Sequence, residues 1–270
     1  QALQVTESIL ERRPTDTSAL ELLDRSVDST PDESASFAAQ ASAAKHLIEH
    51  YTRLEQYTEA VRVLESELRF ALTPSERTAV LHSLADLRAN QLNDLVGAFR
   101  ILVELVALEP TLTRNRLELE ELAERLSQYR EYAEALARIA LELRDPRVSL
   151  PLLMDALRVY ATKLDNPERE SQLHEQLLKW TQDDRLILKA LAALDGLYSK
   201  LDDPANLCRV LEMRAEREQD IEVQLYAWRG GARLALTALD ESQRAVDDWR
   251  HVLSLAPKDR EALDGLVEGL

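Results

Sequence analysis

The five residues His46-Leu47-Ile48-Glu49-His50 have the spacing in this chain best suited to chemistry. On a helix the pattern H-x-x-E-H sets two imidazoles on one face, where both can grip a zinc ion beside a water-activating carboxylate. A working centre needs a third ligand, and the candidates Glu120, Glu121 and Glu124 read as surface carboxylates of another helix. Centres of this type also sit in large mixed α/β domains, which this composition lacks. The plainer reading, chance occurrence in an acidic helical sequence, is preferred, and no metal or cofactor is expected. The remaining histidines His82, His174 and His251 are isolated in sequence. The single cysteine, Cys208, rules out an internal disulfide framework and reads as a small buried hydrophobe of a helix.

Other chemistries fare no better. Gly230-Gly231 has no following Lys-Ser or Lys-Thr, so a phosphate-cradling loop is missing. Serine, histidine and aspartate occur without the strand–turn–helix setting of a nucleophile elbow. The acidic run Glu118 to Glu124 reads as a solvated helix face rather than an acid–base pair. An enzyme is therefore not expected. A formal net charge of −16 repels phosphate backbones, which argues against nucleic acid and favours a protein partner with a basic or mixed surface. The most apolar run, Phe99 to Leu108, is broken by Arg100 and Glu104 and falls far short of the ~18 residues that span a bilayer. The sequence opens on Gln1 without a basic-then-apolar leader, and reads as a piece of a longer protein. The compartment stays open, with the cytoplasm favoured.

The elements that must position any binding residue are helices. Apolar residues make up 45% of the 270, mostly Leu and Ala, while aromatics are only 5%. With 6 Gly, 9 Pro and no strand-like alternation, this is a helix-former's composition. The helices repeat. Leu81-Leu84-Ala85, Asp94, Ala98-Phe99, Leu102 and Pro110 parallel Trp228-Gly231-Ala232, Glu241, Ala245, Trp249, Val252 and Pro257. Weaker copies run through Tyr51 to Leu64, Leu119 to Ile139 and Leu194 to Leu211. Ala60, Ala98, Ala135, Leu207 and Ala245 align, with spacings of 38, 37, 72 and 38; the 72 hides a copy from Leu153 to Leu177 whose second helix starts at Pro167. Small residues let paired helices approach, and stacking supplies the core that one pair cannot build alone. Thr73-Pro74-Ser75-Glu76 and Thr30-Pro31-Asp32-Glu33 mark helix starts, and Asn166-Pro167 and Asp203-Pro204 are shorter versions.

These residues resemble the tetratricopeptide repeat family, a helix pair of 34 residues closed by Pro. Trp228, Gly231 and Ala232 match its first helix; Ala98, Ala245 and Trp249 its second; Pro14, Pro110 and Pro257 its closing residue. Longer spacings, and Ala85, Ala123 and Ala232 in a slot that the family fills with Gly, are departures. The resemblance implies an all-α, right-handed superhelical solenoid. Three stretches are expected: a partial repeat plus atypical helices over 1–39, with Ala2, Thr6 and Ile9 in the second helix of a repeat, and repeats over 40–145 and over 146–270. Pro146 and Pro151 enclose a possible bend. The resemblance also implies a protein-interaction scaffold that binds a polypeptide along the concave face made by first helices; a sensor or regulatory region serving an effector elsewhere is the alternative. Projecting that face onto the chain gives Lys45, Glu49 and Arg53, then His82 and Asp86, then Glu120, Glu124 and Gln128. Farther on come Arg158, Lys189, Lys200, Arg229 and Arg233, so the groove is expected to be acidic in its middle and basic toward the C-terminus. The family's Lys and Asn clamp for a C-terminal carboxylate is not expected, because Glu49 stands where Asn would be needed.

Overall fold

The computed structural model describes residues 2–13, 16–28, 34–69, 71, 73–143 and 145–269. Among them run fifteen α-helices and no strand. In the first part are α1 (Ala2–Arg12), α2 (Thr17–Asp28), α3 (Ser34–Arg53), α4 (Tyr57–Glu67), α5 (Pro74–Asp86), α6 (Leu95–Leu108) and α7 (Thr113–Leu126). There follow α8 (Tyr129–Leu143), α9 (Pro146–Lys163), α10 (Pro167–Trp180) and α11 (Asp184–Lys200). The last are α12 (Pro204–Arg217), α13 (Ile221–Thr237), α14 (Ser242–Leu255) and α15 (Arg260–Gly269). Packing divides the chain into two compact units, Gln1–Tyr132 and Ala133–Leu270, so the division falls within α8 and ahead of the 145/146 boundary expected from the prolines. No helix among the described residues is long and apolar enough to cross a membrane.

Within each unit neighbouring helices pack in chain order: α2 on α3, α3 on α4, α5 on α6 and α6 on α7 in the first, and every successive pair from α9 to α15 in the second. The alternating turns explain the pairing. The short turns α3–α4, α7–α8, α11–α12 and α13–α14 each hold one non-glycine residue in the left-handed region: Glu55, Ser127, Asp202 and Asp240. Asn93 does the same just before α6. By contrast Asp145, Asp183 and Asp220 are extended and cap α9, α11 and α13, each carboxylate accepting a backbone N–H of the first turn. The prediction at Thr73 holds in full. Its hydroxyl accepts from the Glu76 N–H (3.2 Å), and the Glu76 carboxylate accepts from the Thr73 N–H (3.0 Å). Thr73→Ala should lower stability by about 1 kcal/mol, read from the denaturant midpoint, with Thr73→Ser near wild type. Asn166 and Asp203 cap α10 and α12 as expected, and the Thr30 signal lies outside the described residues.

The N–H that bonds to the carbonyl four residues earlier, just ahead of each second helix, gives the repeat register: Ala60, Ala98, Tyr132, Glu170, Leu207 and Ala245. One position shifts and one copy is found where the sequence put it, its second helix starting at Pro167. The third aligned position is Tyr132, with Ala135 one helical turn later. The copy hidden in the 72-residue gap is α9–α10, where the half-buried Glu170 takes the place that alanine fills at Ala60, Ala98 and Ala245. At the N-terminus α1 packs on α2 and α2 on α3. Pro146 and Pro151 both lie inside α9: Pro146 sits at the first turn, where no N–H is needed, and the helix continues through Pro151. Pro110 and Pro257 follow α6 and α14 as expected, and Pro14 lies outside the described residues.

The core is a set of apolar clusters within each unit. Leu23, Val27, Ala43, Ala44, Leu47 and Val63 join α2, α3 and α4; Cys208, Trp228, Ala232, Ala245 and Trp249 join α12, α13 and α14. The small slots Ala85, Ala123 and Ala232 are buried, which lets their helices approach.

Candidate ligand-binding groove

Unit 1 carries the larger cavity described here, about 570 Å³, between the first helices α5 and α7. Its shape starts in a break of helical register. After Asp86 the chain makes a single π-turn, Leu87–Gln91, with the Leu92 N–H bonded to the Leu87 carbonyl at 3.0 Å. A π-turn packs one extra residue into a turn and often marks a functional site. Ala89 and Asn90 from that turn enter the cavity wall. Arg88 holds the turn, pairing with Glu65 of α4 and with Asp94, the cap of α6. The backbone N–H of Gly97, then Arg88, keep the Asp94 carboxyl below the usual range.

The floor is apolar and buried: Ala85, Leu102 and Leu122. The rim is charged. Asn90 donates to the Asp86 carboxylate (2.7 Å), and Arg114 donates to Glu118 (2.6 Å). Glu121 and Arg125, both exposed, have no partner among the described residues. His82 lines one wall, its Nε2 3.2 Å from Glu109, and the buried Asn115 amide donates to the same carboxylate at 3.1 Å. That triad ties α5, the end of α6 and α7 together, so the groove walls are braced. A smaller cavity of about 210 Å³ occupies the matching place between α9 and α11, lined by Asn166, Glu170, Gly196 and Lys200. Burial raises the Glu170 carboxyl, with Lys200 opposing.

The projected residues do fall on first helices: Lys45, Glu49 and Arg53 on α3, His82 and Asp86 on α5, Glu120 and Glu124 on α7, Arg158 on α9, Lys189 and Lys200 on α11, Arg229 and Arg233 on α13. Gln128 lies just past α7. The cavities bring only His82, Asp86 and Lys200 to their walls. On α7 the groove takes Arg114, Glu118, Glu121 and Arg125. Glu120 instead lies within 3.5 Å of the Tyr132 hydroxyl, which donates to it. The two arginines of α13 have partners within the chain. Arg229 donates to Asp259 (3.1 Å from Nε) and Arg233 to Glu261 (2.6 Å from Nη2), so α15 and its cap neutralise both cations. His46 donates from Nδ1 to the Ser42 carbonyl (2.9 Å), and His50 meets the Tyr51 ring edge-on.

Sequence reasoning missed a carboxylate ladder along the second helices. Glu134 of α8 accepts from Tyr160 of α9 and Arg169 of α10. Glu175 of α10 accepts from Tyr198 of α11 and Arg209 of α12. Glu212 of α12 accepts from Arg244 of α14. The available signal was a Glu followed 35, 34 and 32 residues later by Arg. Burial, then the facing glutamate, pushes the Tyr160 and Tyr198 hydroxyls up to about 12, so both stay donors.

No protein-family model matches the chain, and no curated protein matches it. Among solved structures it is similar to the C-terminal part of a tetratricopeptide-repeat protein from Cytophaga hutchinsonii, with 13% identity, 98% of this chain and 99% of that one covered, and a TM-score of 0.34. It is similar to Naa15/Naa10 bound to HypK, with 14% identity over 97% of this chain but 43% of that one, at a TM-score of 0.38. It is also similar to the TPR2AB domain of yeast Sti1 in complex with an Hsp90 peptide, with 12% identity, 99% and 96% covered, and a TM-score of 0.30. The fold class stands on this chain's own helices and their packing: an all-α array of helical hairpins, similar to tetratricopeptide-repeat structures.

Proposed function

We propose that this chain is a protein-interaction scaffold that holds an extended polypeptide in the groove between α5 and α7. One observation carries the reading: an apolar floor of Ala85, Leu102 and Leu122 under a rim that carries both signs, Asp86 and Glu121 negative and Arg125 positive. Such a surface suits a segment with small apolar side chains spaced between charges of both signs. The brace of His82, Glu109 and Asn115 keeps the walls in place before binding, which cuts the ordering cost.

A peptide display library selected on the purified chain tests this. The best peptide, measured by calorimetry, should bind Asp86→Lys/Arg125→Glu at least tenfold more weakly, since each rim charge contributes on the order of 1 kcal/mol. Circular dichroism checks that the variant keeps its helices. Undiminished binding by the variant, or no selectable peptide, would remove the groove as the site.

A further inference from the structure

The third step of the carboxylate ladder is built differently from the other two. Glu134 and Glu175 are each completed by one tyrosine hydroxyl and one guanidinium. Glu212 has its guanidinium, Arg244, whose Nη2 donates at 2.8 Å. It has no tyrosine. The N–H of Asp203, the cap of α12, bonds to the carbonyl of Tyr198 on α11; the N–H of Glu241, the cap of α14, bonds to that of Ala235 on α13. Alanine thus stands where the hydroxyl would come from.

The space is taken by Cys208 and Asp248. Their ligand atoms and that of Glu212 all lie within 4.8 Å of one another. Cys208 and Glu212 are four apart on α12, so both project from one face, and Asp248 comes across from α14. Cys208 is fully buried and Asp248 is 4% exposed, yet Asp248 Oδ2 has no hydrogen-bond partner. A buried carboxylate oxygen without a donor costs several kcal/mol of desolvation unless something binds it. Gly231 of α13 makes room for it: a Cβ there would lie 2.8 Å from Asp248 Oδ2.

We infer that Cys208, Glu212 and Asp248 form a binding site for a thiophilic divalent cation of the zinc class. One thiolate and two carboxylates are the mixed sulfur and oxygen set that such an ion accepts in a four-coordinate site, with water as the fourth ligand. The charges close: three anionic ligands face one divalent ion and the Arg244 guanidinium. Arg244 holds Glu212 from behind, the outer-shell role that orients a ligating carboxylate. The Glu212 and Arg244 side chains are 22% and 31% exposed, which leaves the ion an approach from solvent. Binding displaces the thiol proton and any proton on Asp248.

The single cysteine makes the test specific, since any thiolate-to-metal band must come from Cys208. The chain is titrated with Cd²⁺ while the near-ultraviolet charge-transfer band is followed, and thermal unfolding is recorded with and without Zn²⁺. One equivalent of Cd²⁺ should develop the band, and Zn²⁺ should raise the unfolding temperature in proportion to the logarithm of its concentration. Cys208→Ser should abolish the band, and Asp248→Asn and Glu212→Gln should each weaken Cd²⁺ at least tenfold. A wild-type chain with neither band nor thermal shift overturns the site whatever the variants do. A band of undiminished affinity in folded Asp248→Asn and Glu212→Gln also overturns it, because the thiol would then be acting alone.

Discussion

Replacing Trp249 by alanine should remove about 3–5 kcal/mol from the stability of the C-terminal hairpins. Trp249 of α14 is 2% exposed and lies in one apolar cluster with Leu211, Ala235, Val252 and Ala262. Its indole also seats the last helix. Gly265 of α15 is so close that a Cβ there would stand 2.4 Å from Trp249 Nε1. Truncation therefore opens a cavity and takes away the surface on which α15 rests. Repeat proteins lose stability locally, because each hairpin touches only its neighbours. The denaturant midpoint should fall, and hydrogen exchange should accelerate in α13, α14 and α15 while α5 and α6 stay protected. Trp249→Phe should cost less, since the indole N–H is buried without a partner and its removal offsets part of the lost volume. Uniform acceleration across both units would contradict this account.

Acidification should destabilise unit 2 through His174, by about 3 kcal/mol once titration is complete. This side chain of α10 is 12% exposed, with Nδ1 unpartnered and Nε2 3.9 Å from Glu170. Burial, helped by Lys189, pushes the imidazole down to about 4 from an ordinary value of 6.5. The sign is fixed by where protons bind. Between pH 6.5 and 4 the unfolded chain takes up a proton that the folded chain refuses, so the contribution is whole above 6.5 and drains away as pH falls toward 4. A shift of about 2.5 units corresponds to roughly 3 kcal/mol, most of it lost by about pH 4.5. Carboxylates titrate in the same range, so the measurement is a difference. Going from pH 7 to about 4.5, wild type should lose about 2.5 kcal/mol more than His174→Gln in denaturant unfolding. Identical losses in the two proteins would show that His174 is not the group responsible.

Repeat existence was legible in the residues because small and bulky side chains recur at fixed intervals and because caps announce helix starts. Thr73, Asn166 and Asp203 act as caps in the places their types implied. What failed to show was register wherever a copy uses unusual chemistry. Tyr132 and Glu170 occupy the slot that alanine fills elsewhere, and no apolar pattern finds a half-buried glutamate. The groove was legible only to the level of the helix. His82 and Asp86 reach its wall, whereas on α7 the wall is made by Glu121 and Arg125, one residue along from Glu120 and Glu124 and so about 100° round the helix. The π-turn that lends Ala89 and Asn90 to the groove wall has no sequence signature, since its residues Leu-Arg-Ala-Asn-Gln suit an ordinary α-helix. Pairing of Arg229 with Asp259 and of Arg233 with Glu261 joins residues 30 and 28 apart, beyond the reach of a local pattern.

The left-handed residues Glu55, Asn93, Ser127, Asp202 and Asp240 each sit between the two helices of one pair, whereas the joints between pairs at Asp145, Asp183 and Asp220 are extended and ordinary in backbone. Chain reversal inside these five pairs thus depends on one constrained φ angle, whereas the α9–α10 turn makes its reversal without one, and a length change at the five would throw the second helix out of phase with the first. At the joints the backbone carries no such demand. The pair is accordingly the smallest piece by which a gene for this chain could grow, shrink or be recombined, and crossovers that spare the five reversals would keep each piece whole.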